Sequence, residues 1–178
     1  MTIKTELINE LIEREGGYVN DPDDSGGETN YGITVDTARA NGYTGPMAEM
    51  PRCTAFDIYA DIYWHDIKGD SIEQLSALVV EEVFDTAVNI GPRLSVKILQ
   101  RVLTVFNLRA ELYQDLSIDG YIGPKTLDAL ARYLAARDEK TLLSALNALQ
   151  GAHYIQLVEQ HEANEKFIYG WFKNRVEM

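Results

Sequence analysis

A single cysteine, Cys53, leaves this chain without an intrachain disulfide and without any multi-cysteine metal site. Histidine is equally sparse: His65, His153 and His161 are scattered and lack ligand spacing, so neither a metal nor another cofactor is expected. Basic charge is short as well, with 16 Lys and Arg against 28 Asp and Glu and a net charge of −12. A phosphate backbone would be repelled rather than gathered, which excludes nucleic acid as a partner and disfavours stable attachment to anionic membranes. A largely neutral polymer such as a polysaccharide is compatible with this balance. No window approaches the roughly 20 apolar residues of a membrane span. The opening MTIKTELINELIERE carries charges every few residues and has no signal-peptide core, so synthesis in the cytoplasm is expected.

What is present is ordinary globular material: 178 residues, 46% hydrophobic and 25% charged, enough for one domain or two small ones. Ile8, Leu11, Ile12 and Glu15 fall at i, i+3, i+4 and i+7, which predicts a helix over 3–15. Residues 16–34, rich in Gly, Asp and Asn, break it and suit a turn or short hairpin. After an irregular stretch at 41–53, the spacing of Phe56, Ile58, Tyr59, Ile62 and Tyr63 predicts a helix ending near Trp64. Ser71 with Gln74 reads as a capping box before a buried helix over 72–88. Pro92 opens the next helix, 93–107, and Pro124 in DGYIGPKT (119–126) starts another through 136. Helices over 139–164 and 166–175 complete a mainly α chain of about seven helices, with one small β-hairpin element after the first.

The stretch EGGYVNDPDDSGGETNYGIT (15–34) concentrates the chemistry. Glu15 continues the apolar stripe of its helix, so its carboxyl is expected to face the interior or a cleft wall. Burial and the negative end of the helix dipole both disfavour a carboxylate there, which suits a general acid. Gly16 and Gly17 end the helix without covering that acid. Asp24 lies in an Asp- and Gly-rich loop where it is expected to be solvated and ionised. Two carboxyls in contrasting environments are the pairing used in glycoside hydrolysis, and the Thr29 hydroxyl is placed to help Asp24 orient a water. A helix C-cap without further role is a competing reading of Glu15-Gly16-Gly17. A calcium loop is another, since Asp21, Asp23, Ser25 and Gly26 match the early positions of an EF-hand, but Gly32 stands where its bidentate Glu belongs. Tyr31, Tyr63 and Trp64 offer faces for stacking on sugar rings, with core packing the alternative for Tyr63. Asn89 is a candidate hydrogen-bonding partner for an N-acetyl group, or else a helix cap.

The same stretch closely resembles the signature of glycoside hydrolase family 108, phage and prophage lysozymes that cut peptidoglycan as N-acetylmuramidases. Glu15 falls on that family's catalytic glutamate, and the matches run through Tyr18, Asn20, Pro22, Asp24, Gly26, Gly27, Thr29, Gly32 and Ile33. FDTAVNIGP (84–92), DGYIGPKT and the Tyr169–Trp171 segment look like the predicted peptidoglycan-binding region that accompanies the family. The resemblance implies a lysozyme-like α+β fold, with a catalytic region over 1–92 and a peptidoglycan-binding region over 93–178. Three helices and a loop are too little for a lysozyme core, so the later helices are expected to pack into the same globule. In related phage enzymes a Glu, an Asp or Cys, and a Thr form the site. Asp24 and Thr29 correspond to the latter two, one residue closer together than in the related pattern.

The resemblance implies an endolysin: a monomer whose partner is bacterial peptidoglycan, cleaving the β-1,4 bond between N-acetylmuramic acid and N-acetylglucosamine, and reaching the wall through a holin-type release. A lytic transglycosylase, which needs only the acid, is the nearest alternative; a non-catalytic wall-binding or virion protein is the alternative from another class.

Overall fold

The computed structural model describes residues 2–20 and 27–176, and the chain divides into two compact units, Met1–His65 and Asp66–Met178. In the first, α1 (Ile3–Glu15) is capped by Thr2, whose hydroxyl accepts from the Thr5 N–H at 3.3 Å. It buries Ile8, Leu11 and Ile12 and stops at Gly16, where φ is +83°. Arg52 braces the outer face of α1, donating from Nη2 to Asn9 Oδ1 at 3.0 Å and Glu13 Oε1 at 3.1 Å.

The expected hairpin is present as β1 (Thr29–Asn30) and β2 (Ile33–Thr34), antiparallel with Thr29 opposite Thr34 and Asn30 opposite Ile33. Tyr31 and Gly32 form its two-residue turn with φ of +52° and +73°. Positive φ at both positions is the pattern that lets a tight turn follow the strand twist. Val19 extends the ladder, exchanging two 2.9 Å backbone bonds with Thr29. The buried Asn30 amide donates to Met47 O at 2.7 Å, tying the hairpin to a 3-10 turn at Met47–Glu49.

A short helix, α2 (Val35–Ala40), follows the hairpin where the sequence predicts none. Six residues with β-branched Val35 and Thr37 show no helical period; the Thr34 hydroxyl, accepting from the Thr37 N–H, starts the helix. Next, α3 (Arg52–Tyr59) runs into a π-helical turn at Ala60–His65.

The second unit corrects the predicted helix over 72–88. A short α4 (Gly69–Glu73) ends before Ser76, which is extended and caps α5 (Ala77–Ile90) by accepting from the Val79 N–H at 2.9 Å. Ser76, rather than Ser71, is therefore the cap of the apolar helix, and its hydroxyl also donates to Glu139. After α6 (Pro92–Val105) and α7 (Pro124–Ala136), each opened by proline, come α8 (Glu139–Gln160) and α9 (Glu165–Arg175). The core of this unit is α5 against α6 and α8, with Val79, Val80, Val83, Leu99, Leu103, Leu142 and Leu146 buried and Ser95 donating to Val83 O at 2.7 Å. At its far end α9 lies on Gly151, where an added Cβ would stand 3.2 Å from Phe172. Trp171 packs on Tyr154 there, while Tyr169 is largely exposed. The architecture among the described residues is mainly helical with one early antiparallel hairpin, as expected for a lysozyme-like α+β chain.

Candidate active site

Glu15 is the last residue of α1, and it is exposed, not turned into the interior as its helical phase suggests. The buried stripe of α1 ends one turn earlier at Ile12, and Gly16, at φ +83°, turns the chain out of the helix. The structure supplies a contact instead. An atom added at Gly32 would lie 2.7 Å from Glu15 Oε2, 2.9 Å from Glu15 Cβ and 2.9 Å from Tyr59 Oη. Gly32 is thus the floor on which the carboxyl rests, and it faces the Tyr59 phenol at the same point.

Tyr59 is buried, and its hydroxyl donates to Tyr31 O at 2.6 Å, so the phenol clamps the turn that carries Gly32. Tyr63, one turn on, stacks against it at 6.0 Å between ring centres. Burial, then the Glu15 charge, then Tyr63 push the Tyr59 hydroxyl well above the usual phenol range. Burial and Glu15 push Tyr63 the same way. Both phenols therefore stay protonated at any working pH, and Glu15 lies within electrostatic reach of both.

Thr29 stands half-buried in β1, the strand leading into the Tyr31–Gly32 turn, with its backbone N–H and C=O both bonded to Val19. Tyr31 is half-buried in the turn itself. The fold thus brings Glu15 to the hairpin that holds Thr29 and Tyr31. Asp24, with the calcium-loop candidates Asp21, Asp23, Ser25 and Gly26, lies outside the described residues. Trp64 is a correction: it is fully buried in the π turn and presents no face to a sugar. Asn89 belongs to the second unit, half-buried on α5, with Nδ2 donating to Asp85 Oδ2 at 2.8 Å.

Two residues of this site escaped the sequence reading in their roles. Tyr59 fits a helical core stripe, and Gly32 fits a turn; that they meet at Glu15 depends on how α3 and the hairpin pack. The available signal was the i, i+4 pair of phenols at 59 and 63. Gly32→Ala is expected to lower stability by about 1–2 kcal/mol from the left-handed φ alone, and to displace the Glu15 carboxyl. Thermal unfolding measures the first effect, and the Glu15 side-chain position in a structure of the variant measures the second.

Residues 8–91 match the family described as Glycosyl hydrolase 108, and residues 94–176 match the one described as Predicted Peptidoglycan domain. No curated protein matches the chain. A solved structure, that of Brucella abortus SagA, superposes with a TM-score of 0.67 at 28% identity, over 96% of this chain and 87% of that one. The two family matches meet between α5 and α6, whereas the compact units part at residues 65 and 66. The helix α5 lies in the first match and packs on α6 and α8 of the second, so the border between the matches falls inside the second compact unit.

Proposed function

We propose that this chain, whose residues 8–91 match the glycosyl hydrolase 108 family and whose residues 94–176 match a predicted peptidoglycan domain, hydrolyses the β-1,4 bond between N-acetylmuramic acid and N-acetylglucosamine with Glu15 as general acid. The observation that carries this reading is the Glu15 carboxyl at the end of α1, exposed to an incoming chain and resting on Gly32 beneath the Tyr31–Tyr59 clamp. A general acid must be reachable by the leaving oxygen, and the exposed position of Glu15 supports that reading.

In the reaction, the Glu15 carboxyl gives its proton to the bridging oxygen as the bond to the anomeric carbon breaks. Positive charge then gathers on that sugar ring. Asp24, assisted by the Thr29 hydroxyl, is proposed to take the proton of the attacking water or to offset that charge. Water adds to the anomeric carbon, and the glutamate recovers its proton from solvent. Tyr31 is kept as the proposed sugar contact beside the acid, and Asn89 as a proposed N-acetyl contact of the second unit taken by itself; Trp64 is not kept. The biological setting we propose is that of a monomeric endolysin, accumulating in the cytoplasm and released to the wall through a holin.

The test is incubation of the chain with purified peptidoglycan, reading turbidity and new reducing ends together. Falling turbidity with rising reducing ends supports the reading; stable turbidity with protein pelleting on the wall would favour a binding protein without catalysis.

A further inference from the structure

The DGYIGPKT stretch, singled out in the sequence and not used in the proposed chemistry at Glu15, is tied to α6 by side-chain hydrogen bonds. Gln100 on α6 is buried and spends its whole amide on this loop. Its Nε2 donates to Asp119 Oδ1 at 2.9 Å and to Tyr121 O at 3.0 Å, and its Oε1 accepts from the Gly120 N–H at 2.9 Å. Asp119 Oδ1 also accepts from the Tyr121 N–H at 2.9 Å. Gly120 is held at φ +81° against α6, where an added Cβ would stand 2.7 Å from Arg93 O.

The product of this locking is one exposed aromatic ring. Tyr121 is 55% exposed, although its backbone is fixed from both sides. The Arg93 guanidinium lies over the ring at 4.3 Å from its centre and is itself anchored by Nε donating to Asp119 O at 3.3 Å. Arg93 thus backs one face of the ring and leaves the other to solvent. The Asp119 carboxyl beside it is held below the usual carboxylate range, chiefly by the Gln100 amide and then by the Tyr121 N–H, so it remains an ionised acceptor.

A flat, pre-fixed phenol with a carboxylate acceptor at its edge matches a pyranose, which presents an apolar CH face ringed by hydroxyl donors. With a net charge of −12, the chain favours the neutral glycan of the wall over its carboxylate-bearing peptides. We propose that Tyr121, backed by Arg93 and edged by Asp119, is the face on which the second unit holds a sugar of the glycan strand. This inference rests on the reading of the chain as a peptidoglycan-acting protein.

The test uses the full chain carrying Glu15→Gln, to keep the wall intact, with and without Tyr121→Ala, sedimented with purified peptidoglycan. Tyr121→Ala is expected to weaken binding roughly tenfold, and Tyr121→Trp to restore it. Binding by a folded Tyr121→Ala chain equal to that of its parent overturns this inference and leaves the proposed function standing. A parent chain that fails to sediment overturns this inference, while the proposed function is judged separately by the release of reducing ends. Should Tyr121→Ala lower the melting temperature, NMR of the unaltered Tyr121 ring during titration with soluble N-acetylglucosamine oligomers decides: a shift of its resonances supports the contact, and unmoved resonances at saturating sugar refute it.

Discussion

Replacing Glu15 with glutamine is expected to lower the rate of peptidoglycan clearing by roughly 10²–10⁴-fold, the range for loss of a general acid. The amide keeps the size and shape that rest on Gly32, so orientation is preserved and only the transferable proton disappears. Because Glu15 is exposed at a helix end, the stability cost is expected to stay within about 0.5 kcal/mol. Rate assays on purified walls, paired with thermal unfolding, check both halves. A variant with near-parental rate removes Glu15 from the chemistry, and one that is inactive because it is unfolded shows that its part is structural.

Trp64→Ala is the second large effect, and it falls on stability. With Trp64 fully buried, truncation leaves a void the size of an indole and costs roughly 3–5 kcal/mol. For a domain of ordinary marginal stability that is a large share of the total. Denaturant unfolding is expected to show a lower midpoint with an unchanged slope. A sugar-stacking Trp64 would behave in the opposite way, weakening substrate binding while leaving the midpoint in place, so one pair of measurements separates the two roles.

Trp64 also shows where sequence periodicity loses its hold. Counted at 3.6 residues per turn from Ala55, Ile58 and Tyr59, the buried face reaches Ile62 and Tyr63 and leaves Trp64 at the margin. The chain instead widens into a π turn at Ala60–His65, whose i to i+5 spacing carries the buried face from Tyr59 to Trp64. Ile62 and Tyr63 are left only partly covered. Nothing in the residue types announces that widening, and π turns of this kind frequently mark functional sites.

The first helix was legible because its apolar spacing is regular and two glycines follow it; both ends were predicted at the residues where they occur. The starts at Pro92 and Pro124 were legible for a similarly local reason, the proline ring being set for a first helical turn. The cap at Ser76 was not, because Ser71 with Gln74 offers an equally good local pattern and only packing decides between them. At the site, helical phase places Glu15 toward the interior or a cleft wall, whereas the side chain is exposed. Phase says which way a side chain points, whereas depth depends on what lies beyond the helix end. There the tertiary partner is a glycine in a hairpin turn, with a phenol brought in from α3. The fold brings the Gly32 turn against Glu15, a contact that no local pattern announces.

Mass spectrometry of the fragments released from purified peptidoglycan tests the assignment most directly. Hydrolysis with Glu15 as acid predicts fragments ending in reducing N-acetylmuramic acid, absent from digests with Glu15→Gln. Fragments ending in 1,6-anhydro-N-acetylmuramic acid, or reducing N-acetylglucosamine ends in their place, would contradict it.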